Sequence, residues 1–168
     1  NQILSGLYIK DSMTGLYNRM GYQKLSESYF SIMREKKIPV LVMFVDLDRL
    51  KYINDTFGHE YGDFAIVSIA KAMQKHCDAD AITARTGGDE FIVLESAKDE
   101  EAGMLLADKI RAELSALREK MQLPFDLSAS IGVVVAQPDG ENALQSYVKR
   151  AEMLMYEEKT EKKVSRDS

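Results

Sequence analysis

Val40-Leu41-Val42-Met43-Phe44-Val45 is a continuous apolar run of strand length. A strand with one wet face alternates apolar and polar residues, so an unbroken run predicts a strand covered on both faces at the centre of an α/β domain. The run ends in acid, because Asp46-Leu47-Asp48 follows without a spacer. Two further β-prone runs, residues 81–85 and 91–94, flank Gly87-Gly88. A glycine pair takes the positive φ angles of a tight turn at little steric cost, which predicts a hairpin. Asp89 and Glu90 leave that turn directly, although Asp is depleted in strands and a packed carboxylate must shed its hydration. The hairpin alone also reads as an exposed turn with its charge in water. If it lies beside the apolar run, Asp46 and Asp89 converge on one hard divalent cation, and Mg²⁺ is typically held by one or two carboxylates plus substrate phosphates.

The rest of the chain supplies a frame for this pair. At 168 residues it fits one domain, long enough to bury a core. The net charge of −5 argues against broad binding of nucleic acid, but not against one anionic nucleotide held by a local cluster. The single cysteine, Cys77, rules out an internal disulfide and favours a cytoplasmic setting. No apolar run approaches the roughly 18 residues of a membrane span, so no membrane contact is expected within this stretch, and an anchor would lie elsewhere in a full-length protein.

Residues 1–10 carry Ile3, Leu7 and Tyr8 on one helical face and read as the end of a helical linker. Periodicity predicts helices over residues 19–35, 60–76 and 99–121, with Asn18 and Asp99 as caps and Met121 among the inward residues of the third. Residues 46–57 read as a short helical or irregular stretch, and residues 125–136 as a strand. Leu144, Val148, Ala151 and Met155 set the face of a last helix, and residues 162–168 read as a frayed polar tail. The order describes an α/β (α+β) domain with a central, mostly antiparallel sheet covered by helices.

Arg85 followed by Gly87-Gly88-Asp89-Glu90-Phe91 resembles the signature of the GGDEF family, the diguanylate cyclases. The likeness extends to the block from Asp46 to Asp63, to Asp11-Ser12-Met13-Thr14-Gly15-Leu16-Tyr17-Asn18-Arg19, to Ser130-Ile131-Gly132-Val133, and more weakly to Ala151-Glu152 through Lys159. The resemblance implies a fold like that of nucleotide cyclases and polymerase palms, with residues 11–161 as the catalytic domain and a sensory domain upstream. It implies GTP as substrate, Mg²⁺ as cofactor with two ions per site (Mn²⁺ being the alternative), and a transient homodimer for turnover. Asp46, Asp89 and the Leu47 carbonyl would hold metal, and Asp89 or Glu90 would serve as base. Asn54 and Asp63 would read guanine, since an amide both donates and accepts while a carboxylate accepts from N–H groups. The Arg49 and Leu50 N–H groups would cradle phosphates, with Lys51 and Lys159 adding charge.

Three departures accompany the match. Leu50 stands where the family often has an aromatic residue. Lys162-Lys163-Val164 replaces the usual Gly-Arg-Asn, so the phosphate-binding arginine falls on Lys163, a point charge in place of a bidentate fork. Asp78-Ala79-Asp80-Ala81 lacks the arginine of the family's product-inhibition site, which predicts no feedback inhibition of that kind. Asp48 reads as a cap on the turn after the strand. The rival expectation is a catalytically silent GTP-binding or interaction module.

Overall fold

The computed structural model describes residues 8–167. Of the expected linker helix, residues 1–7 lie outside that range. Four strands, β1 (Val40–Leu47), β2 (Ile82–Arg85), β3 (Glu90–Ser96) and β4 (Ala129–Ala136), form one sheet in the order β2-β3-β1-β4. Each neighbouring pair is antiparallel. Five helices lying wholly within the described residues accompany them: α1 (Arg19–Glu35), α2 (Leu50–Phe57), α3 (His59–His76), α4 (Glu100–Met121) and α5 (Leu144–Asp167).

The unbroken apolar run is explained by what lies on either side of β1. Val40, Val42 and Phe44 point into a core shared with Phe30 of α1 and Leu144, Tyr147, Val148, Ala151 and Met155 of α5. Leu41, Met43, Val45 and Leu47 point the other way, into a core built with Ile53 of α2, Ile66, Ile69 and Met73 of α3, and Leu106, Ile110 and Leu114 of α4. Successive strand residues face opposite sides, so a strand between two cores has no polar position to spare until its end. Asn18 and Asp99 cap as expected, the first accepting from the Gly21 N–H at 2.8 Å and the second from the Ala102 N–H at 2.9 Å.

Four details depart from the sequence reading. The hairpin forms, but among the described residues the glycines with positive φ are Gly15 and Gly58, not Gly87 or Gly88. Reversal is spread over four loop residues, 86–89, closed by the Thr86 and Gly87 N–H groups on the Glu90 carbonyl at 3.0 and 3.4 Å. The strand expected from residue 125 begins at Ala129, because the Phe125 ring leaves the sheet line to pack on Phe57 and Tyr61, with centroids 5.4 and 5.6 Å apart. Met121, at the last position of α4, is 51% exposed rather than inward. Residues 162–167 do not fray: α5 continues to Asp167, because the Lys162 ammonium bonds the Asp48 carboxylate at 2.6 Å and the Ala129 carbonyl at 2.8 Å.

Candidate active site

Register brings the acids together. In the β1–β3 ladder Asp46 stands opposite Glu90, and the Leu47 N–H donates to the Asp89 carbonyl at 2.9 Å, so the loop acid is tied to the end of β1. The loop is held from behind by two arginines. Arg85 donates to the Gly88 carbonyl at 2.9 Å and reaches Asp11 at 3.3 Å, and Arg19 donates to the Thr86 carbonyl at 3.0 Å. The Thr86 hydroxyl donates to Glu90 Oε2 at 2.7 Å and fixes that side chain.

Burial pushes the Asp46 carboxyl above the usual range; the Lys159 ammonium pulls it back, and the neighbouring Asp89 carboxylate pushes it further up. Lys159 Nζ sits 3.2 Å from Asp46 Oδ1 and 3.3 Å from the Leu47 carbonyl. Its approach to Asp46 is not aligned as a hydrogen bond, and Oδ1 is a buried atom without a hydrogen-bond partner. A side-chain cation thus rests on two oxygens that the sequence assigns to metal. No group of three or more His, Cys, Asp or Glu side chains that could hold a metal occurs among the described residues. Two carboxylates and a carbonyl suit Mg²⁺, which shares its coordination with substrate phosphates and water.

Beyond the strand, Arg49 takes the left-handed conformation, φ 56°, and α2 starts at Leu50 with no side-chain cap. N–H groups in a first helical turn have no intrahelical carbonyl, so those of this turn are open to an anion. Lys51 lies exposed on α2. Asn54, half-buried on the same helix, faces Gly62 of α3 so closely that a Cβ on Gly62 would fall 1.7 Å from its Oδ1. That Oδ1 is a second buried atom with no partner. Asp63 follows Gly62 and is exposed. Asp46, Leu47, Asp89, Glu90 and Lys159 are therefore gathered at one end of the sheet, and Asn54 and Asp63 at the α2–α3 junction. Lys163 is exposed and has no contact placing it in either group.

Asp48 does not cap α2. Its carboxylate turns to β4, where the Ser130 hydroxyl donates to Oδ1 at 2.6 Å, the Ser128 hydroxyl to Oδ2 at 2.7 Å, and Lys162 adds its ion pair. Burial alone would raise its pKa, but Lys162, Ser130 and Ser128 together outweigh it and hold the carboxyl below the ordinary 3.8. A depressed carboxylate stabilises the fold fully above the unfolded pKa, and this is lost as pH falls through the folded one. Asp48→Asn is expected to lower stability by about 2 kcal/mol at pH 7. Urea unfolding from pH 7 to pH 3 should show the gap to the parent closing only below about pH 4, and a constant gap would contradict the assignment. The sequence assigned no such role to Lys162, Ser128, Ser130, Thr86 or Gly62. The one signal for Lys162 was its place three residues after Lys159, on the same side of a helix.

The comparisons with known proteins agree with this geometry. The family model described as diguanylate cyclase, GGDEF domain, matches residues 8–165. Diguanylate cyclase DgcP of Escherichia coli K12 is 32% identical over 164 residues, covering 90% of this chain and 45% of that protein. Diguanylate cyclase VdcA of Vibrio cholerae is 34% identical over 154 residues, covering 89% and 43%. The chain thus spans less than half the length of these curated relatives. A sensory box/GGDEF family protein from Caulobacter crescentus superposes with a TM-score of 0.75 at 31% identity, covering 91% of this chain and 99% of that one. The coiled coil and GGDEF domain of DgcB from the same organism, in complex with c-di-GMP, gives a TM-score of 0.83 over 95% and 84% of the two chains; at 23% identity it speaks for the fold alone. The sheet and its helices are the palm-like fold of such domains. Over residues 8–165, nearly its whole length, the chain belongs to the GGDEF domain family.

Proposed function

We propose that this domain is a diguanylate cyclase that condenses two GTP into cyclic di-GMP with release of two pyrophosphates. One observation carries the reading: of four buried side-chain atoms without a hydrogen-bond partner among the described residues, two are Asn54 Oδ1 and Asp46 Oδ1, the latter met by the Lys159 ammonium at 3.2 Å without an aligned hydrogen bond. Buried polar atoms are rarely left unpaired without a reason. One lies at the acid pair and the other at the proposed base pocket, as a bound metal nucleotide would require.

In each half-reaction the 3′-hydroxyl of one GTP attacks the α-phosphorus of the other, the new O–P bond forms, and the bond to the β-phosphate oxygen breaks. Asp46, Asp89 and the Leu47 carbonyl would hold two Mg²⁺, which when bound neutralise the attacking and leaving oxygens. Glu90, fixed by Thr86, or Asp89 accepts the hydroxyl proton. Asn54 and Asp63 read the guanine, and Asp63 selects GTP over ATP by accepting from guanine N–H groups. The Arg49 and Leu50 N–H groups and Lys51 hold the β- and γ-phosphates, joined by Lys159 once a metal takes its place on Asp46. Lys163 reaches the triphosphate only by extending from an exposed position. Each domain holds one GTP, so turnover needs two domains face to face. The segment ahead of β2 carries Asp78 and Asp80 beside the buried Glu95, on a cavity of about 510 Å³; it repels a cyclic dinucleotide, and product inhibition there is absent.

Mass spectrometry of products from concentrated domain with GTP and Mg²⁺ tests the reading. Cyclic di-GMP is expected; none, even from domains fused to a dimerising coiled coil, would leave the silent GTP-binding module, which the outward Lys163 favours. Gly62→Ala should raise KM for GTP by about 10- to 100-fold, the cost of one hydrogen bond to the base, because its methyl drives the Asn54 amide out of place. An unchanged KM would remove Asn54 from the guanine site.

A further inference from the structure

We infer that Lys162 is a positioning residue for the phosphate-binding turn, acting through Asp48. The inference rests on reading that turn as part of a GTP site. Arg49 is the pivot. A non-glycine residue in the left-handed region costs on the order of 1 kcal/mol and persists only where its surroundings over-determine it. α2 supplies no side-chain cap, only the Ile53 N–H on the Arg49 carbonyl at 3.0 Å. The Arg49 side chain stacks on Tyr52, 3.9 Å from the ring centroid, but Tyr52 belongs to the helix that follows the turn and does not tie it to the sheet. The restraint from outside comes at Asp48. Its N–H donates to the Ser128 carbonyl at 3.0 Å, and its carboxylate is bound by Ser128, Ser130 and Lys162.

Asp48 is only 7% exposed. Two serine hydroxyls orient a buried carboxylate but do not neutralise it, and a buried charge without a counter-ion forces its surroundings to open or the group to protonate. Lys162 is the cation in contact with it, and the same ammonium bonds the Ala129 carbonyl at 2.8 Å. One side chain therefore ties three things together: the end of β1 through Asp48, the start of β4, and α5. Lys159 lies one turn back on that helix, on Asp46 and the Leu47 carbonyl, so the setting of α5 also sets the height of the lysine that would meet the phosphates. With Lys163 turned outward, the turn itself carries more of the grip on the triphosphate, and a rigid turn binds it without first being ordered.

The test compares Lys162→Met and Lys162→Arg with the parent by two readouts. Backbone hydrogen exchange in the metal-free domain should show the two bonded amides that flank the turn, Asp48 N–H on the Ser128 carbonyl and Ile53 N–H on the Arg49 carbonyl, exchanging about 10-fold faster in Lys162→Met, while β1 and β3 stay protected. Steady-state kinetics should show KM for GTP raised about 10-fold with kcat within about 2-fold, since grip lost equally in ground and transition states appears in KM alone. Lys162→Arg keeps the charge on Asp48 and should return both readouts to within about 3-fold of the parent. An unchanged KM, a rise in exchange spread evenly over the sheet, or an arginine variant no better than methionine would overturn the proposal. Should Lys162→Met fail to fold, Lys162→Gln keeps a donor without the charge and is read the same way. If the parent makes no cyclic di-GMP, the cyclase reading fails while the exchange measurement still decides whether Lys162 holds the turn.

Discussion

An Asp46→Asn domain makes no detectable cyclic di-GMP, a loss of about three orders of magnitude or more, and in metal-free buffer it melts above the parent. The loss follows from the chemistry, because charge stabilisation at a metal-assisted displacement is the largest single contribution and an amide is a poor ligand for a hard cation. The gain follows from the site. Asp46 is a largely buried carboxylate beside Asp89, with Oδ1 paired to the Lys159 ammonium but without an aligned hydrogen bond, and its pKa is raised chiefly by burial. A folded-state pKa above the unfolded one means that the native protein binds more protons, so stability declines as pH rises between the two values. Lys159 offsets part of this, but its side chain is 31% exposed and its attraction is screened. Asparagine removes the penalty, and 1 kcal/mol moves the melting point of a domain this size by about 2–4 °C. Melting curves with and without Mg²⁺, run beside product analysis, give the answer. The ion should raise the parent's transition and leave that of Asp46→Asn in place. A variant that still turns over, or one that melts lower without metal, would mean that Asp46 serves the fold rather than the cation.

The same residues show how far the sequence reaches. β1 could be read because burial on both faces marks composition directly, and the acids at its end mark where that burial stops. Asn18 and Asp99 could be read as caps because a cap acts within three residues. Asp48 could not. Alternation would place it on the face of Asp46, but β1 ends at Leu47, and its partners Ser128 and Ser130 stand eighty residues away. The hairpin glycines misled for a related reason, since a two-residue turn needs left-handed glycines and a four-residue loop does not. Lys162 and Lys163 are one position apart on α5, and either lies within helical reach of the face that carries Lys159. Which one turns inward depends on how α5 crosses the sheet, a property of tertiary packing with no local signature.

That crossing is fixed at Gly132, and Gly132→Ala should be the most destabilising single methyl in the domain, costing about 4 kcal/mol or preventing folding. A Cβ there would lie 1.8 Å from the Ala151 carbonyl oxygen and 2.8 Å from the Met155 N. Both are backbone atoms of α5, so no rotamer change relieves the clash, and the helix must lift from the sheet. Lifting it exposes Tyr147, Val148, Ala151 and Met155 and draws Lys159 and Lys162 off Asp46 and Asp48, so stability and activity fall together. Gly103 is the control. A Cβ on it would also come close, 2.8 Å from Leu41 Cδ1 and Val133 Cγ1, but these are side-chain methyls, which can shift. Gly103→Ala also replaces glycine within a helix, where alanine is favoured by about 1 kcal/mol, so its net cost should be no more than about 1–2 kcal/mol. Urea midpoints of the two variants separate the readings. A large loss at Gly132 with a small one at Gly103 places α5 directly on the β4 backbone, whereas equal losses would mean that the helix rides on side chains and that its lysines are set by something other than this contact.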